Sequence, residues 1–132
     1  MKRILLMPLL AVISLASAVA ANSGGEPDMV FERTEHNFGD VKRKGGDVIA
    51  MFRFVNRGDA PLVIKKVHKS CSCMDIEFSR KPVLPNEGGE IKVKYEPHKV
   101  ELGIFNKVIQ IYTNESRSVR LITIQGNSLD NK

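Results

Sequence analysis

From Met29 onward the apolar residues come in short runs, and nowhere do they recur at i, i+3, i+4 and i+7 for three turns, so no long helix is expected. The clearest run is residues 48–55. Val48, Ala50, Phe52 and Phe54 fall on one face and Ile49, Met51, Arg53 and Val55 on the other, which predicts a strand with one wholly apolar side. In residues 90–95, Ile91, Val93 and Tyr95 share one face and Glu90, Lys92 and Lys94 the other, the pattern of a half-exposed strand in an antiparallel sheet. Residues 104–112 are apolar on much of both faces, and residues 119–124 form a last strand that Gly126 ends. Shorter extended pieces are read at residues 29–32, at 36–41 with a bend at Gly39, from Pro61 with Leu62, Ile64 and Val67 toward the core, and at 75–78. Between them lie Lys44-Gly45-Gly46-Asp47, Asn56-Arg57-Gly58-Asp59, the loop 81–89 with two prolines and a glycine pair, and Thr113-Asn114-Glu115-Ser116. About seven short strands with frequent turn signals predict an all-β chain folded as an antiparallel β-sandwich.

The first residues stand outside this pattern. Met1-Lys2-Arg3 is basic, the following run to Ala16 is nearly all apolar, and Ala18-Val19-Ala20 ends it with small residues, so residues 1–20 are read as a signal peptide cleaved before Ala21. The run is interrupted by Pro8 and is too short to span a bilayer, for which about 20 apolar residues are needed. No later segment is apolar enough to cross a membrane. The chain therefore divides into the signal at 1–20, a Gly-rich flexible leader at 21–28, one domain at 29–127 and a polar tail at 128–132. Export to the periplasm or cell surface is expected.

Composition agrees with one folded domain, at 42% hydrophobic and 27% charged residues. Losing residues 1–20 removes Lys2 and Arg3 and no acid, leaving 18 basic and 15 acidic side chains, a net charge of +3. The basic residues are scattered rather than clustered, which argues against a nucleic-acid partner.

The distinctive chemistry is in His68-Lys69-Ser70-Cys71-Ser72-Cys73-Met74, which holds both cysteines of the chain. Three readings are open. In an oxidising compartment Cys71 and Cys73 form a disulfide or pack as a strand end; residues i and i+2 of a regular strand have Cα atoms about 6.5–7 Å apart, so a bond requires a kink. Alternatively they are a redox-active pair, with Lys65, Lys66, His68 and Lys69 lowering a thiol pKa. The third reading is a Cu(I) site, with Cys71, Cys73, His68 and Met74 supplying thiolate, imidazole and thioether ligands. His36 is expected to be buried and hydrogen-bonded beside Phe38, and His98 to be solvated. Asn114-Glu115-Ser116 fits a glycosylation acceptor by letter and is better read as a turn whose Asn caps a strand end. No Gly-x-Ser-x-Gly elbow, nucleophile–base set or phosphate-binding glycine loop is present, so no catalytic residues are assigned and an enzyme is not expected.

A wider pattern runs through the chain: Phe31, His36-Asn37-Phe38-Gly39, Phe52, Asn56-x-Gly58, Pro61-Leu62-x-Ile64, Ser70-Cys71-Ser72-Cys73, Pro82-x-x-Pro85, Tyr95, Gly103-x-Phe105, Thr113-Asn114 and Gly126. It resembles the bacterial family called domain of unknown function 1573, from about residue 30 to 127. The resemblance implies an immunoglobulin-like sandwich akin to the Hydin and major-sperm-protein domains and implies no agreed activity. This chain has Cys71-Ser72-Cys73-Met74 where the family commonly reads Cys-Gly-Cys-Thr, and Pro85-Asn86 where it commonly reads Pro-Gly; Asn also tolerates positive φ. The function expected is a non-enzymatic binding or scaffold module, without cofactor, for a protein or cell-surface component. The alternative is a small periplasmic thiol-redox or Cu(I)-handling protein.

Overall fold

The computed structural model describes residues 25–117 and 119–130; the signal-peptide reading and residues 21–24 of the leader lie outside the described residues. Eight strands form two four-stranded sheets: β1 (Met29–Phe31), β2 (Glu35–Lys42), β3 (Val48–Asn56), β4 (Ile64–Lys69), β5 (Met74–Phe78), β6 (Gly88–Tyr95), β7 (Gly103–Thr113) and β8 (Val119–Leu129). The first sheet has the order β1-β3-β6-β5 and the second β2-β8-β7-β4. A single 3₁₀ turn, Pro97–Lys99, is the only helical element among the described residues.

The alternations read from the sequence set the core. Phe52, Ile91, Val93 and Tyr95 of the first sheet face Ile109, Ile111, Ile122 and Ile124 of the second, all fully buried, with Met29, Leu62 and Met74 completing the layer. A register irregularity between Ile64 and Lys66 turns Val67 back toward the same side as Leu62 and Ile64, as expected for that run. Asn86 has φ 67°, the conformation its place after Pro85 suggested.

Three expectations are corrected. The sandwich is not wholly antiparallel: β2 runs parallel to β8. After β1 pairs with β3, residues 32–34 carry the chain across to the other sheet, where β2 lies beside the last strand; alternation reports which face is buried, not the direction of the neighbour. Gly126 does not end the last strand, which continues to Leu129, so Ser128 and Leu129 belong to β8 rather than to the tail. A glycine stands there because a Cβ would lie 2.6 Å from Phe105 Cζ and 2.9 Å from the Gly39 carbonyl oxygen. The end of the leader is also part of the domain, since the Glu26 N–H donates to Asp59 Oδ1 (2.7 Å) and the Asp28 carbonyl accepts from Arg57 N (2.8 Å).

That N-terminal segment is held by a buried polar cluster at one pole. Asn56 is fully buried; its Nδ2 donates to the Ala60 (2.8 Å) and Val83 (2.9 Å) carbonyls, and its Oδ1 accepts from Asp28 N (3.1 Å) and Gly58 N (3.0 Å). Glu115, buried beside it, accepts from Met29 N, from the Thr113 hydroxyl and from a forked pair with Arg120 (2.7 and 3.2 Å). Burial pushes the Glu115 carboxyl up, but the Arg120, Met29 and Thr113 donors outweigh it and leave the group below its ordinary range.

Candidate functional site

The cysteines lie where the chain passes from β4 on the second sheet to β5 on the first. They are joined, with Cα atoms 5.1 Å apart, closer than a regular strand would put them. The kink is a turn at Ser72 and Cys73, so a serine serves where the related pattern has glycine. Cys73 is fully buried and Cys71 partly so; the Cys73 N–H donates to Cys71 Sγ (3.1 Å) and the Cys73 carbonyl accepts from Glu96 N (2.7 Å). Lys69 Nζ donates to the Met74 carbonyl (2.7 Å), tying the end of β4 to the start of β5.

The four residues of the copper reading are not gathered as ligands. The two sulfurs are bonded to each other, Met74 is buried in the core opposite Tyr95, and His68 is exposed on β4 in register with Gln110. Two of the basic residues expected to bias a thiol are engaged elsewhere: Lys66 Nζ lies over the Tyr112 ring, 4.9 Å from its centre, and Lys69 Nζ bonds the Met74 carbonyl. Among the described residues no group of three His, Cys, Asp or Glu side chains is placed to hold a metal ion. His36 does lie edge-on to Phe38, 4.5 Å between ring centres, but its buried Nδ1 has no hydrogen-bond partner among the described residues; burial and then the nearby Arg33 lower its pKa. His98 is exposed near Asp47. Asn114 caps as expected, accepting from Val63 N (2.8 Å) and donating to the Pro61 carbonyl (2.9 Å).

The feature that sequence reading did not isolate is a contrast between the two outer faces. On the first sheet the outward residues of β3, β6 and β5 form cross-strand ion pairs, Arg53 with Glu90 (3.8 Å), Lys92 with Glu77 (3.8 Å) and Lys94 with Asp75 (3.9 Å). On the second sheet the outward residues of the two central strands carry no charge: Ile104 lies opposite Asn127, Asn106 opposite Gln125, Val108 opposite Thr123 and Gln110 opposite Leu121. Ile104 is 89% exposed and Leu121 54%. Charge is confined to the flanking strands, with Glu35, Asp40 and Lys42 on β2 and Lys66 on β4. The alternation of residues 104–112 was legible, but which of its two apolar faces lay outward needed the partner strands.

The family pattern for proteins of unknown function designated DUF1573 matches residues 29–128, three quarters of the chain. The chain belongs to that family. Its fold is similar to that of a protein of unknown function from Porphyromonas gingivalis W83, with a TM-score of 0.66 and 17% identity over 78% of this chain and 46% of that one. The DUF1573 chain thus spans less than half of that relative's length. The ASH / PapD-like domain 7 of human CEP192 is similar at a TM-score of 0.65 and 6% identity, over 81% of this chain and 89% of that one. Vibrio cholerae VesB protease contains a similar region, at a TM-score of 0.59 and 12% identity, over 77% of this chain and 32% of that one. No curated protein sequence matches the chain. These likenesses establish an immunoglobulin-type, PapD-like sandwich, and a sandwich of this kind hosts many unrelated functions.

Proposed function

We propose that this DUF1573 chain is an exported, non-enzymatic binding module of the bacterial envelope, and that it recognises its partner on the outer face of the second sheet. The observation that carries this reading is the asymmetry of the two faces. Lys, Glu and Asp are depleted from the cores of binding surfaces, and the central strands β7 and β8 present none outward, while the opposite sheet covers itself with paired charges. Export is supported by the basic, apolar and small-residue order of residues 1–20 and by the Cys71–Cys73 bond, which an oxidising compartment preserves.

The test compares Leu121→Glu, on the uncharged face, with Lys92→Glu, on the ion-paired face, in the cells that make the protein. Wild type and Lys92→Glu are expected to sediment with the washed envelope fraction and Leu121→Glu to be released from it, with equal melting temperatures. Equal release of both variants, or a wild type recovered wholly in the soluble extract, would overturn the reading.

A further inference from the structure

At one end of the uncharged face the sheet opens into a cleft of about 360 Å³. Its floor is made by two neighbouring rows across β2, β8 and β7, Asp40–Asn127–Ile104 and Asn37–Gln125–Asn106. Between these rows β2 bulges at Gly39, whose φ is 69°, so the ladder is interrupted and the cleft is left unfilled. We propose that this cleft binds a neutral glycan of one or two pyranose rings, its hydroxyls on Asn106, Gln125 and Asn127 and an apolar ring face against Ile104. The proposal rests on the reading of this face as the recognition surface and names the ligand class for it.

The polar groups decide the class. The cleft presents four carboxamides and one carboxylate, with no cation in its lining. Asn37 Oδ1 is occupied by the Gly39 N–H (2.8 Å), and Asn127 Nδ2 lies 3.4 Å from Asp40 Oδ1. The side chains of Asn106 and Gln125 make no hydrogen bond to any described residue, which leaves two acceptors and four donor hydrogens turned to the cleft. A hydroxyl both donates and accepts, so adjacent hydroxyls of a sugar match a carboxamide that offers both. An anion would find no counter-charge, and a cation only Asp40. Ile104, almost fully exposed beside these amides, supplies the apolar wall that the C–H face of a pyranose needs.

Shape separates a glycan from a peptide. The free backbone edge of the sheet here is the far side of β2, so an extended peptide that joined it would lie alongside the cleft and not over Asn106, Gln125 and Ile104. The floor spans two strand spacings, about 10 Å, by two outward residues, about 7 Å, and charged Lys42 and Glu35 stand beyond its ends on β2. That footprint holds one or two sugar rings; a longer peptide would run onto the charges.

The test uses ¹⁵N-labelled protein beginning at Ala21, titrated separately with maltotriose, cellotriose and chitotriose while the side-chain NH₂ signals are followed. At least one trisaccharide is expected to shift the Asn106 and Gln125 signals saturably, with a Kd of about 1 mM or below. Asn106→Ala and Gln125→Ala are each expected to weaken that binding about tenfold without changing the melting temperature. Leu121→Glu, two rows away, should leave it intact, so loss of envelope retention with sugar binding preserved contradicts only the broader reading. No shift with any of the three sugars, shifts indifferent to both alanine variants, or stronger shifts with a neutral Ala-Ser-Gly hexapeptide would overturn the glycan site, whatever the retention result.

Discussion

Asn56 shows how much one side chain can hold. It was legible as a turn residue, because Asn56-Arg57-Gly58-Asp59 closes a strand and Gly58 and Ala60 are local partners, but not as a fully buried group with four hydrogen bonds, since the other two partners, Asp28 and Val83, lie in the N-terminal segment and in the loop before β6. Asn56→Ala should destabilise the domain by roughly 3 kcal/mol in a urea titration, because two buried carbonyls and two N–H groups lose their partner together. Glu115 makes a pH prediction. Its folded pKa lies below that of the unfolded chain, so the stability it contributes is present above the ordinary carboxylate range and is lost as pH falls through the folded value. The acid limb of wild-type stability should therefore be steeper than that of Glu115→Gln, which should also be less stable at neutral pH by about 2 kcal/mol, having lost the charged half of its pair with Arg120. Equal acid limbs would show that another carboxylate governs the transition.

The strands themselves were readable from alternation, and their ends were not. A glycine in sequence signals a break, but Gly126 sits inside β8 because the Phe105 ring and the Gly39 carbonyl occupy the space a Cβ would take, and no local pattern reports a crowding that comes from two other strands. Gly126→Ala should cost about 2 kcal/mol in thermal or chemical unfolding, and a neutral outcome would mean that β2 can shift away without penalty. The β4–β5 corner behaves differently. Its bond closes a loop with only Ser72 between the cysteines, so the gain from restricting the unfolded chain is small, and the Lys69 side chain and the Glu96 N–H hold the corner by hydrogen bonds to its carbonyls. Replacing both Cys71 and Cys73 by Ser should lower stability by no more than about 2 kcal/mol and leave envelope retention unchanged. Loss of retention in a folded double variant would place the cysteines in the function after all.

At the scale of the molecule, fold class followed from short alternating runs and frequent turns, because burying one face of a strand leaves a period of two in any sandwich. The pairing of β2 parallel to β8 and the contrast between the outer faces did not follow. Both depend on which strands become neighbours, and the same outward Ile104, Val108 and Leu121 would be unremarkable beside lysines and glutamates. What the assembled sheets add is a chain whose paired charges lie on one side and whose uncharged strands lie on the other. The central claim, that the uncharged side is the one that binds, is tested most directly by a benzophenone side chain placed at Leu121 or at Lys92 and irradiated in intact cells, since benzophenone captures both protein and glycan. A discrete adduct from position 121 and none from position 92 is the predicted result. Adducts from position 92 alone, or none from either in cells that retain the protein in the envelope, would contradict it.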